Sequence, residues 1–235
     1  RQIPGLPDVK ISYWYDYQGN PTKKCLSDAT NGSVYTFYEY DAAGRLSKVY
    51  TNYLDSEVGK IKEAEYTYNA DGTRKRVQLG DSQGMDYVYN ERGWVKQINQ
   101  QNFNITQDPG GDGGAGTTTT VDKFAEIIGY EEQGHIAAGT GFTFQPQYNG
   151  NISWSFSRIK DVSLSGVNAG YPDPMIGYVY NYDNANRLTK ADFGYYHATS
   201  GWNNTLPKSS MYEPPLISYS PDGNISSLQR FGVNA

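Results

Sequence analysis

The segment Tyr38-Glu39-Tyr40-Asp41-Ala42-Ala43-Gly44-Arg45-Leu46-Ser47-Lys48-Val49 constrains the fold more than any other, because it recurs along the chain. Tyr38 and Tyr40 are two positions apart, so in an extended backbone their rings share one face of a sheet. Asp41 can accept hydrogen bonds from backbone two residues on, and Gly44 supplies the positive φ that ends a type I turn with a bulge. Leu46 and Val49 bury as the chain returns. Their spacing does not fit a flat strand, which predicts a bulge or bend between them.

The same strand, turn and strand can be laid on other positions. Asp16 with Gly19, Asn69 with Gly72 and Asn90 with Gly93 repeat the turn, each after a Tyr-x-Tyr pair. Asp183 and Asn186 form a later copy, with asparagine where glycine is expected; asparagine is the next best residue for a left-handed position. Asn149 and Gly150 mark a shortened copy, and Asp222 and Gly223 close the series with Ser220 in the acidic place. About seven copies at irregular spacing are the mark of a β-repeat architecture. The expected fold is all-β, an antiparallel strip in which each unit pairs with its neighbour as a meander.

Between the repeats the composition shifts. Residues 1–12, with Pro4, Gly5 and Pro7, read as a linker or strip lead-in, and residues 13–98 as dense repeats. Residues 99–120 read as a flexible Gly- and Thr-rich loop with too little apolar surface to pack. Asp108 and Asp112 among those glycines are too few for a calcium loop, which needs several more oxygen ligands at fixed offsets. Residues 121–235 hold further repeats with long insertions. Val121 to Tyr130 fits a short helix or an apolar strand, the alternation Ile152-Ser153-Trp154-Ser155-Phe156-Ser157 predicts a strand, and Tyr195 to Pro215 reads as a long loop. The chain opens at Arg1 without an apolar leader, and is expected to be a piece of a longer one.

Little in the sequence points to catalysis. Cys25 is alone, so neither a disulfide nor a cysteine metal cluster organises the fold. His135 and His197 are isolated and give no metal-ligand spacing. No nucleophile elbow or phosphate-binding loop occurs, and the repeat aspartates are explained by local backbone hydrogen bonds. A net charge of −5 with interspersed signs argues against nucleic acid as a partner, and Arg74-Lys75-Arg76 reads as a solvated return strand. No segment approaches a membrane-spanning helix. The 22 Tyr outnumber the 8 Phe, so ring faces are expected to pack while hydroxyls reach water or backbone. Trp94 and Trp202 are the candidate aromatic binding positions, with Trp14 and Trp154 as further ring platforms; sheet core is the competing role for all four.

The recurring Tyr-x-Tyr-[Asp/Asn]-x-x-Gly-[Arg/Asn]-Leu unit resembles the YD repeat of the Rhs family, which includes the C component of insecticidal toxin complexes and the teneurins. The runs Asp86 to Asn99, Val121-Asp122-Lys123-Phe124 and Gln147 to Ser153 are similar to Rhs proteins exported by the type IX route. The resemblance implies a β-strip that spirals into a hollow shell, of which this chain is a fragment, in a protein secreted from or displayed on a Gram-negative bacterium. It also implies a role in enclosing or presenting a neighbouring domain, which in this family is often a toxin. The implied partners are the rest of the longer chain, an enclosed C-terminal domain, and secretion or surface-complex proteins. The family's closing core motif and aspartyl autoprotease are absent from these residues, so no catalytic residue, cofactor or metal carries over. The alternatives are surface adhesion or glycan binding through exposed aromatics, or an accessory component bound to secretion or surface machinery.

Overall fold

The computed structural model describes residues 9–28, 30–80, 82, 84–100, 106–112, 121–133, 142–160, 175–197, 201–203 and 216–228, with the side chains of 195–197 and 201–203 left aside. Every regular element among them is a β-strand, and consecutive strands pair antiparallel in sequence order. The chain divides into two compact units, one of residues 1–86 with 112–120, the other of residues 87–111 with 121–235.

The first unit is a meander of β1 (Val9–Tyr15), β2 (Pro21–Asp28), β3 (Gly32–Tyr40), β4 (Leu46–Asn52), β5 (Ile61–Tyr68), β6 (Arg74–Leu79) and the start of β7 (Gly84–Tyr89). Val9 to Ser12 therefore belong to the strip itself. Its apolar core is thin. Cys25, Phe37, Ala64 and Val77 are buried, while every residue of β4 is only half-buried. Tyrosine suits such a layer, since its ring covers neighbours while its hydroxyl reaches the rim.

A polar cluster compensates. The Arg76 guanidinium pairs with Asp86 through Nη1 and with Asp112 through Nη2, and Asp112 Oδ2 also accepts the Gly84 N–H at 2.8 Å. Both carboxylates are almost wholly buried. Burial opposes the positive charge on Arg76, but the two carboxylates outweigh it and its pKa is raised. Arg76 thus departs from the solvated role read from the basic triplet. Its neighbours Arg74 and Lys75 are exposed. Room for the guanidinium exists because residue 84 is glycine: a Cβ there would collide with the Arg76 head group.

The second unit continues from the end of β7 through β8 (Val95–Ile98), β9 (Phe124–Gly129), β10 (Trp154–Ile159), β11 (Met175–Tyr182), β12 (Leu188–His197) and β13 (Gly201–Asn203). A separate hairpin, β14 (Ile217–Tyr219) and β15 (Ile225–Leu228), follows. Here alternation is strict. Met175, Gly177, Val179 and Asn181 point inward along β11, and Ala125, Ile127 and Gly129 along β9. Ile127, Trp154, Phe156, Met175 and Val179 form the core, with Phe142 and Phe144 packed against it. The 121–130 segment resolves to a strand, since half of its side chains face this cluster. Residues 195–197 and 201–203 differ from the long loop expected there. Tyr195 pairs with Asn203 and His197 with Gly201, so backbone pairing extends the sheet into the start of that segment.

Candidate functional site

The residues singled out by the repeat fall in one recurrent turn. In six hairpins the first turn residue (Asp16, Asp41, Asn69, Asn90, Asp183 or Ser220) donates its N–H to the carbonyl four residues on, and its own carbonyl accepts from the N–H three residues on. The residue in that third place has positive φ: 89° at Gly19, 76° at Gly44, 90° at Gly72, 78° at Gly93, 60° at Asn186 and 87° at Gly223. In four copies the side-chain Oδ1 accepts two backbone N–H groups as well. For Asp41 these come from Ala43 and Arg45, both at 2.9 Å, and Asp16, Asn90 and Asp183 do the same. Asp222 occupies the middle of its turn, and Ser220 the first place.

Each turn is followed by the same irregularity. Glu39 pairs with Lys48 and Tyr40 with Leu46, which leaves Ser47 as the extra residue. Thr22, Lys75, Lys96, Thr189 and Ser226 are the extra residues of the other five hairpins. The bulge between Leu46 and Val49 therefore comes from the turn chemistry and recurs with it.

In four of these hairpins the tyrosine before the turn ties its repeat to the preceding one. Tyr40 Oη donates to the Pro21 carbonyl, Tyr68 to Leu46, Tyr182 to Ile152 and Tyr219 to Leu188, each at 2.8 Å. Tyr130 reaches the Val95 carbonyl at 2.9 Å in the same way. Except for Ile152, in the shortened copy, the acceptor is always the first residue after the preceding turn. Where the residue after the positive-φ position is arginine a second tie forms. Arg45 pairs with Asp41 at 2.8 Å, lies 4.5 Å above the Tyr68 ring and donates to the Asn69 carbonyl at 3.3 Å. Arg187 repeats this with Asp183, Tyr219 and the Ser220 carbonyl. Replacing Tyr68 by phenylalanine keeps the ring and deletes one such bond, so thermal or urea unfolding is expected to show a loss of about 1 kcal/mol.

The remaining candidate positions are placed differently. Asn149 and Gly150 make no full hairpin; Asn149 Oδ1 accepts the Asn151 N–H at 3.0 Å and its Nδ2 bonds Asn186 Oδ1 at 2.7 Å. Trp94 is half-buried, 5.0 Å from the Tyr130 ring, with Arg92 5.2 Å above it and Gly150 against its edge. Its indole packs between repeats. Trp154 is core. The Trp202 and His197 side chains and the whole of His135 lie outside the described residues. Trp14 is the exposed indole, at 41%, on β1.

Residues 15–52, two of these turns with their strands, match the family described as RHS Repeat. Those residues carry an Rhs repeat. Among curated proteins none matches significantly. Among solved structures, the chain is similar to one in the TcdB2-TccC3-Cdc42 crystal structure, at 12% identity and a TM-score of 0.37, over 96% of this chain and 12% of that one. It is also similar to a chain of the Photorhabdus luminescens Tc holotoxin pore, at 12% identity and a TM-score of 0.35, over 95% and 12%. TcdB2-TccC3-TEV is a third, at 14% identity and 0.34, over 94% and 11%. The chain thus spans about an eighth of the length of these proteins.

The recurrent turn also sets a pH dependence. The backbone N–H of Arg45 holds the Asp41 carboxyl below its ordinary 3.8, and the N–H groups of Asn20 and Arg187 do the same for Asp16 and Asp183. A depressed folded pKa gives stability that is present above the unfolded value and lost as pH falls through the folded one. The contribution of these turns to the unfolding midpoint is therefore expected to be lost on acidification below about pH 4. That loss should shrink in the Asp16→Asn, Asp41→Asn, Asp183→Asn triple variant.

Proposed function

We propose that this strip is a segment of a β-shell in a secreted or surface-displayed protein of a Gram-negative bacterium, where it encloses or presents a neighbouring domain. The repeat junction carries the reading. Four hairpins hydrogen-bond through their closing tyrosine to the backbone of the repeat before, which supports a strip that extends without a separate core for each unit, as repeat architectures do. A wall that grows this way serves a scaffolding role with no chemistry of its own. It also covers strand edges that would otherwise recruit other chains. The enclosed domain is, on this reading, a C-terminal toxin, and export by the type IX route belongs to it.

Limited trypsin digestion of the full-length protein tests the enclosure. The domain that follows the strip is expected to survive until denaturant opens the strip, and to be cut at once when produced alone. Equal cleavage rates in the two settings would remove the enclosure. Secretion into the medium by cells lacking type IX machinery would remove the export route.

A further inference from the structure

The first unit holds a cleft of about 480 Å³, within the roughly 300–1,000 Å³ of small-ligand sites. Trp14, Lys23 and Phe37 line its sheet side, and Asp55, Ser56 and Glu57 line its loop side. The first three are successive cross-strand partners, Trp14 with Lys23 and Lys23 with Phe37, so they form a row on one face. Tyr50, the partner of Phe37, extends the row.

The loop between β4 and β5 folds back over this row and is held there by its own polar groups. Asn52 Nδ2 donates to the Ser56 and Val58 carbonyls at 2.9 and 3.1 Å, Asn52 Oδ1 accepts the Leu54 N–H at 3.1 Å, and Ser56 Oγ accepts the Val58 N–H at 3.0 Å. Lys23 bonds Asp55 at 2.7 Å, and Lys60 bonds Glu39 and Glu57 at 2.8 Å each while lying 3.9 Å above the Tyr50 ring. The rim is preformed, so a ligand would not have to order it.

The electrostatics narrow the ligand. Asp55 and Glu57 are each paired with a lysine, so the site offers donors and acceptors side by side with no uncompensated carboxylate. An anion would meet two carboxylates. A cation would meet the Lys23 ammonium, already 4.2 Å from the Trp14 ring centroid. A neutral polyol meets neither obstacle: its hydroxyls can accept from Lys23 and donate to Asp55. Trp14 and Tyr15, 41% and 61% exposed, leave part of their rings open to an apolar sugar face beside the Lys23 ammonium that lies over the Trp14 ring. We propose that this cleft binds a neutral saccharide, with Trp14 as the stacking platform. The site is independent of any enclosed domain.

The test is titration of the full-length protein with maltohexaose, cellohexaose and N-acetylchitohexaose, read by tryptophan fluorescence and calorimetry at low and high salt. At least one is expected to bind with an affinity that salt does not change, since no net charge is neutralised. Trp14→Ala should weaken that binding about tenfold or more, and Asp55→Asn should weaken it while leaving the loop's own hydrogen bonds in place. Circular dichroism identical to the parent shows that each variant is folded. Absence of heat and quenching with all three sugars would overturn the proposal. So would sugar binding that survives Trp14→Ala, or salt-sensitive binding of tetramethylammonium in the cleft with none of sugar.

Discussion

Arg76→Met is expected to destabilise the first unit by about 3–5 kcal/mol, because it leaves Asp86 and Asp112 buried without the cation they share. The measurement is the urea midpoint of the full-length protein, followed through Trp14. Lys75→Met, one residue away on the exposed bulge, should stay within about 0.5 kcal/mol. The Arg76→Met, Asp86→Asn, Asp112→Asn combination should recover part of the loss, since most of the cost of breaking a buried pair lies in the stranded charge. A loss below about 1 kcal/mol for Arg76→Met would mean that water reaches the cluster and shares its charge.

Phe156→Ala should produce a comparable loss in the second unit, about 3–5 kcal/mol. Phe156 has no exposed surface and its ring centroid lies 5.5 Å from that of Trp154. The strand opposite cannot close the gap, because Phe156 faces Gly177, whose missing Cβ is what lets the ring sit so near β11. Near-ultraviolet circular dichroism from Trp154 should collapse with the same midpoint as the strand signal. Phe156→Leu, which keeps most of the volume, should cost roughly 1–1.5 kcal/mol. Equal effects from the two substitutions would mean that ring shape, and not volume, holds the core.

The turns were legible in the sequence because all their chemistry lies within five residues. The Asp41 side chain, the Gly44 φ and the bulge at Ser47 specify one another locally, and the spacing of Leu46 and Val49 betrays the extra residue. The tyrosine hydroxyls were half legible: their number announced that they reach polar groups, but the acceptor is a backbone carbonyl, which carries no sequence signature. The Arg76 cluster left no pattern. Its three members are 10 and 36 residues apart from the arginine outward, and Asp112 sits in a run whose lack of apolar residues argues against packing. Charge, not apolar area, buries it. An arginine on a return strand whose opposite residue is an aspartate is the one clue, since Arg76 and Asp86 face each other across β6 and β7. The cleft at Trp14 escaped for a similar reason, because its far wall is a loop whose position over the row depends on Lys23 and Lys60.

The bond from each closing tyrosine to the repeat before it has a consequence for how such chains change length over time. Its donor is supplied by the incoming unit and its acceptor is a main-chain oxygen that any residue provides. A unit gained or lost by unequal recombination therefore restores the same junction on both sides of the cut, whatever side chains it brings. Copy number becomes a quantity that drift and selection can adjust in whole steps, while a cut inside a unit separates an aspartate from its glycine and is purged.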